Sequence, residues 1–185
     1  MNHRNNRRSE ATKNKIKQTL VDMLHTQDIS KITVQALCEK AVINRSTFYN
    51  HYESPLAVLA NIEYEFVSKL EAYMEGNICL DYNKENLTYM IGRILEFIQA
   101  NHNICFLLKT PNLLPFFRRN IFREIFKASL MKHPVFEKYT GDTLPYAQSF
   151  ILYGCGHAID HWINEGCKES PHEIAEMLSD FITRL

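Results

Sequence analysis

The chain has no net charge, no Cys-x-x-Cys pair and no apolar run near the ~18 residues that a membrane helix needs. Each absence excludes something. Twenty-one basic residues balance twenty-one acidic ones, which argues against a nonspecific nucleic-acid coat. Five widely spaced cysteines, Cys38, Cys79, Cys105, Cys155 and Cys167, are an odd number and give no disulfide framework. They read as reduced, mostly buried thiols of a cytoplasmic protein. The start of the sequence is polar and basic with no apolar stretch behind it, so neither a signal peptide nor a membrane partner is expected.

The motifs of common enzyme classes are also missing. There is no glycine-rich phosphate loop, no Gly-x-Ser-x-Gly and no pair of carboxylates at a persuasive spacing. The chain is therefore read as a non-enzyme without a cofactor. One pair could hold a metal. His157 and His161 are four apart on a helical face, with Asp160 beside them and Cys155 nearby. No glutamate lies between them in the manner of a zinc protease, and the plainer reading is polar residues at an interface or pocket wall.

Alternating strand patterns and internal repeats are absent too, so every periodic segment reads as helix. Hydrophobic residues make up 45% of the chain and charged residues 23%, enough to fill a core. Charge is unevenly placed: residues 1–55 carry +4 and residues 56–185 carry −4. A basic head on an acidic body suits a protein whose head alone meets a polyanion.

The first helix should begin near Ser9, with Ile16, Leu20 and Leu24 as its apolar stripe and a disordered basic tail before it. Asp28 follows, as a residue that tolerates a left-handed turn. Thr33 caps a second helix whose buried face is Val34, Leu37, Cys38 and Ala41. Val42 and Ile43 turn the chain, and Asn44 caps a third helix reaching about Tyr52. Ser54 and Pro55 start a long fourth helix, to about Glu75, with Leu56, Leu59, Phe66, Leu70 and Tyr73 along one side. Further helices are expected at about 86–100, 117–130, 144–165 and 171–185. The last opens on Ser170-Pro171-His172-Glu173, a capping box, and carries Ile174, Met177, Leu178 and Phe181.

Two short helices joined by a tight turn, after a third, form the unit that lays one helix in a DNA major groove. Phe48 and Tyr52, four apart, should face inward. Arg45, Ser46, Tyr49 and Asn50 then face outward. Arginine can pair with guanine, asparagine with adenine, and serine with either. Thr33, Thr47, Tyr49 and His51 suit phosphate contacts, aided by helix N-termini at Thr33 and Arg45.

The stretch from Ile32 to Ser54, above all Thr-Phe-Tyr-x-His-aromatic-x-Ser at Thr47 to Ser54, resembles the TetR/AcrR family of repressors. The likeness covers residues 9 to about 60, and more loosely Tyr153-Gly-Cys-Gly-His and Trp162-Ile-Asn-Glu-Gly-Cys-Lys-Glu-Ser-Pro. Two positions depart from the family's pattern. Val42 stands where a turn glycine is usual, which a negative φ would allow. Pro55 stands where a phosphate-holding lysine is usual.

The resemblance implies an all-α protein with a helix-turn-helix DNA-binding domain at 1–54 and a ligand-binding and dimerisation domain at 55–185. It implies a homodimer on a pseudo-palindromic, double-stranded operator, repressing until a small apolar or aromatic effector binds. Phe97, Phe106, Phe117 and Tyr153 are the candidate pocket. Gly154, Gly156, Ile174, Met177, Leu178 and Phe181 are the candidate dimer interface, since mid-helix glycines cost about 1 kcal/mol each and are best explained by another helix lying close. The alternatives are a DNA-binding dimer with no effector pocket and a metal-responsive regulator through His157 and His161.

Overall fold

A computed structural model describes residues 3–75, 83–101 and 136–184. Among these residues all regular structure is helical. The α-helices are α1 (His3–Leu24), α2 (Val34–Ala41), α3 (Arg45–Tyr49), α4 (Pro55–Met74), α5 (Lys84–Ala100), α6 (Leu144–Asn164) and α7 (Pro171–Arg184). The helix expected at 117–130, and with it Phe106, Phe117, Cys79 and Cys105, lies outside the described residues. Packing divides the chain into Met1–Phe66 and Val67–Leu185, and the division falls inside α4.

In the first unit α1 packs on α2 and α2 on α3. Ile16, Leu20, Leu37 and Phe48 are completely buried there, the first two at the four-residue spacing that puts them on one face of α1. Lys17 reaches both carboxylate oxygens of Glu65 at 2.8 and 2.7 Å, tying α1 to α4. Thr33 caps α2, its Oγ1 accepting the Ala36 N–H at 3.1 Å. Ser54 caps α4 in the same way through Ala57 at 3.2 Å.

Several boundaries differ from expectation. Helix α1 starts at His3, so the basic segment expected to be disordered is helical and Ser9 sits inside the helix. No proline or glycine interrupts residues 3–9, and the anchored turn at Ile16 lets the backbone ladder extend back. Asp28 is extended, not left-handed (φ −69°). Its carboxylate instead accepts the Ser30 N–H at 2.8 Å and caps a one-turn 3-10 helix, Ile29–Lys31. Asn44 stands at the N-cap of α3, but only its backbone oxygen serves, accepting from Phe48 N–H at 3.1 Å. Leu56 is exposed and belongs to no buried stripe.

Val42 is the left-handed residue of the head, at φ 51° and ψ 54°. Its N–H donates to the Glu39 carbonyl at 3.2 Å, and the Ile43 N–H donates to the Cys38 carbonyl at 3.0 Å. That pair of bonds is a Schellman ending, which needs a positive φ at this residue. Helix α6 ends with the same pair of bonds at Gly166 (φ 86°), with Gly166 N–H on Ile163 and Cys167 N–H on Trp162 at 3.1 and 2.9 Å, although there Cys167 is left-handed as well (φ 54°). One of the two endings uses glycine and the other a β-branched residue.

Among the described residues of the second unit the largest helix contact is α5 against α7. Gly92 lets the helices approach: a Cβ there would stand 3.7 Å from the Ala175 Cβ. Thr88 and Ser179 join their hydroxyls across the same seam, where Ser179 is fully buried. The seam side of α7 is Ala175, Leu178, Ser179 and Ile182. Its apolar stripe is therefore split. Leu178 goes inward, Ile174 is half-buried, and Met177 and Phe181 stay exposed. The capping box at Ser170 forms as spaced, with Glu173 Oε2 accepting Ser170 N–H at 2.8 Å and Ser170 Oγ accepting Glu173 N–H at 3.2 Å. Trp162, buried, donates its indole N–H to the Glu169 carbonyl at 2.9 Å and so fixes the turn between α6 and α7.

Candidate nucleic-acid interface

The recognition segment hangs on two aromatic anchors. Phe48 is fully buried and Tyr52 nearly so. The Tyr52 hydroxyl donates to Asn61 Oδ1 on α4 at 2.8 Å, and burial, then the nearby Glu65 and Glu10, push its pKa up to about 12. It stays a neutral donor at any physiological pH. With those two side chains inside, Arg45, Ser46, Tyr49 and Asn50 are left outside. Thr47 and His51 are half-buried beside them.

The exposed side chains keep the polar atoms that DNA contact needs. Thr33 spends one lone pair on its cap and retains its O–H for a phosphate. The Tyr49 ring sits edge-on to Phe48, 5.7 Å between centroids, which holds its hydroxyl outward. Asn50 follows the last residue of α3 and is exposed. Helix α3 has only five residues, so the dipole expected at its N-terminus is weak, whereas the eight-residue α2 retains one. Thr47 borders an open groove of about 520 Å³ beside the turn, with Cys38, Glu39, Val42, Ile43 and Asn44.

One residue at this surface escaped the sequence reading. Gln35, in the first turn of α2, accepts a hydrogen bond from Arg45 Nη2 at 2.5 Å through Oε1. Its amide N–H donates to Glu39 at 2.9 Å. Nothing in the spacing of the two segments announces this contact, because it depends on how the turn folds α3 back on α2.

In the second unit, Phe97 is buried, 5.3 Å from the Tyr73 ring. Arg93 stacks over the other part of this cluster, 4.4 Å from the Tyr73 centroid, and pairs with Glu96 at 2.7 Å. Tyr153 is on the outside of α6, in a row with Tyr146 and Phe150. His157 and His161 continue that row and are exposed. Among the described residues no group of three His, Cys, Asp or Glu side chains could hold a metal. Burial raises the Cys155 thiol to about 11, so it is not a ready thiolate ligand. Gly156 is buried, while a Cβ on Gly154 would meet nothing within 4 Å among the described residues outside its own helix.

A TetR-type family model, described as a transcriptional regulator C-terminal region, matches residues 85–184, over half the chain. The chain belongs to the TetR family of transcriptional regulators. It is 22% identical over 182 residues to the uncharacterised HTH-type transcriptional regulator YxbF of Bacillus subtilis, covering 95% of this chain. The chain spans about half the length of that relative, 46%. Among solved structures, a TetR transcriptional regulator from Streptococcus agalactiae is 24% identical, with 96% and 97% of the two chains covered and a TM-score of 0.67. The fatty acid degradation regulator FadR from Bacillus halodurans is 17% identical, covers 92% and 94%, and scores 0.60. FadR from Bacillus subtilis, solved with stearoyl-CoA, is 16% identical, covers 91% and 96%, and scores 0.56. These likenesses fit the all-helical architecture described above. No described helix is long and apolar enough to cross a membrane.

Proposed function

We propose that this TetR-family chain is a cytoplasmic, ligand-responsive repressor that binds a pseudo-palindromic operator as a homodimer. The observation that carries the DNA-binding part is the division of the recognition segment. Phe48 and Tyr52 are fastened inside, leaving Arg45, Ser46, Tyr49 and Asn50 to face a groove. Residues 1–54 do the binding, and residues 55–185 pair the protomers and take the effector. Arg45 and Asn50 read bases, while Thr33, Thr47, Tyr49 and His51 hold phosphates.

Dimerisation draws support from the outer face of α6 and α7. Tyr146, Phe150 and Tyr153 on one helix, and Met177 and Phe181 on the other, are large apolar side chains left in water. Gly154 follows Tyr153 on α6, and among the described residues nothing beyond its own helix stands over its α-carbon, where a partner helix could approach. Leu178, being buried in its own unit, would contribute by supporting this face and not by touching the partner.

The effector reading rests on buried Phe97, together with Phe106 and Phe117 as the candidate pocket wall; Tyr153, exposed on the outside of α6, goes with the pairing face instead. Helix α4, 20 residues and so about 30 Å long, is the natural lever. A small tilt at one end would spoil the spacing of about 34–36 Å that two recognition helices need on B-DNA. Stearoyl-CoA is the first ligand to test, since a solved protein of this fold holds it.

The experiment is selection of operator sites by the full chain from a random duplex library, followed by titration of single-base variants. Arg45→Ala should lose about 1–3 kcal/mol at one base pair of each half-site. Thr47→Ala and Tyr49→Phe should weaken all sequences alike. A uniform loss for Arg45→Ala would end the base-reading assignment. An operator affinity that no acyl-CoA or aromatic ligand alters would favour the dimer without an effector pocket.

A further inference from the structure

We infer that Gln35 is a positioning residue for operator recognition: its amide oxygen holds the Arg45 guanidinium in the orientation from which it reads a base. The inference rests on the assignment of Arg45 as a base reader. Two hydrogen bonds run in one direction through these side chains, one across the turn and one along α2. Arg45 Nη2 donates to Gln35 Oε1 at 2.5 Å, and Gln35 Nε2 donates to Glu39 Oε1 at 2.9 Å. All three side chains are exposed, on the first turn of α3 and along α2.

The direction of the relay fixes which way the amide of Gln35 faces. The Glu39 carboxylate can only accept, so it takes the NH2 end and turns the oxygen toward Arg45. An arginine side chain otherwise swings freely about its several torsions, and holding it in one geometry costs entropy at the moment of binding. A guanidinium already held by one N–H meets the base with part of that cost removed. Arginine has five N–H donors, so one given to Gln35 leaves a two-pronged edge for guanine O6 and N7. Glu39 then acts at one remove. Its negative charge would repel a phosphate, but tied to Gln35 it serves as the stop that sets the amide.

The test uses the full-length chain and a random duplex library of about 30 base pairs, room for two half-sites. Sites are selected with the parent protein, Arg45→Ala, Gln35→Ala and the double variant, and discrimination is then measured on single-base variants of the parent site. Gln35→Ala should lower discrimination about 2- to 10-fold at the base pair that Arg45→Ala flattens, and at no other. The double variant should match Arg45→Ala alone, because Gln35 has nothing left to aim. Gln35 is exposed, so the thermal unfolding curve should not move; an equal loss at every position, or a loss at a different base pair, would overturn the positioning role. So would Gln35→Ala leaving the selected site unchanged. The Arg45→Ala arm separates the two claims. If it flattens a base pair and Gln35→Ala does not, the DNA reading stands and the inference fails. If it flattens none, both fail.

Discussion

Replacing Val42 with glycine should stabilise the protein, although it removes a hydrophobic side chain. Val42 sits at φ 51°, ψ 54°, where a Cβ crowds the following carbonyl. For an L-residue this conformation costs about 1–2 kcal/mol, and β-branching places valine toward the upper end. Glycine removes that cost but loses about 0.5–1 kcal/mol through its greater freedom in the unfolded chain. Little burial is forfeited, because Val42 is 79% exposed. The net gain should be about 0.5–1.5 kcal/mol, or a few degrees in midpoint for a chain of this size. Urea unfolding followed by circular dichroism, at one fixed protein concentration, measures it; the slope with denaturant should stay constant. The reciprocal change is Gly166→Val, at the matching ending of α6. Among the described residues nothing beyond its chain neighbours lies within 4 Å of a Cβ there, so the loss of about 1–2 kcal/mol would come from the backbone alone. A Val42→Gly protein less stable than its parent, or a neutral Gly166→Val, would refute the reasoning that the left-handed turn is strained. If Val42→Gly also leaves operator affinity intact, the side chain has no part in DNA contact.

The remaining expectations concern the second unit. Ser170→Ala removes the Oγ bonds to the Glu173 N–H and carboxylate, leaves the backbone N–H bond to Glu173 Oε2, and should destabilise α7 by about 1 kcal/mol. The Ser170 side chain and backbone hold the Glu173 carboxyl below its ordinary value, so this stabilisation is present above the ordinary pKa and disappears as pH falls through the lowered one. An NMR titration of Glu173 should move up in Ser170→Ala; an unmoved titration would contradict the cap. Leu178→Ala, 3% exposed, should cost about 2–5 kcal/mol in unfolding, whereas Phe181→Ala, 62% exposed, should leave a monomer nearly as stable and weaken self-association. Equal losses in both would reject the split of α7 into an inner and an outer face. Gly154→Leu should overpack the contact and give a monomer by sedimentation velocity, and a dimer of unchanged strength would remove α6 from the interface.

The sequence alone was enough for the described helices, three of their caps and the family, because these are encoded locally. The four-residue spacing of Ile16, Leu20 and Leu24 sets a buried face whatever lies opposite. Thr33, Ser54 and Ser170 cap the helices they precede because the bonds span only three residues. The inward Phe48 and outward Tyr49 follow from the same periodicity. Tertiary structure decided what periodicity cannot weigh. Val42 was compatible with a negative φ on its own, but closing α2 onto α3 demands a Schellman turn, and packing overrode the preference of valine. The apolar stripe of α7 looked continuous, but only the approach of α5 at Gly92 and Ala175 determines that Leu178 turns in and Phe181 turns out. The bond from Arg45 to Gln35 joins residues ten apart on different helices, and its existence depends on the angle of the turn between them. Local bonds are written in neighbouring residues; the choice of which face meets which helix is made only when the helices meet.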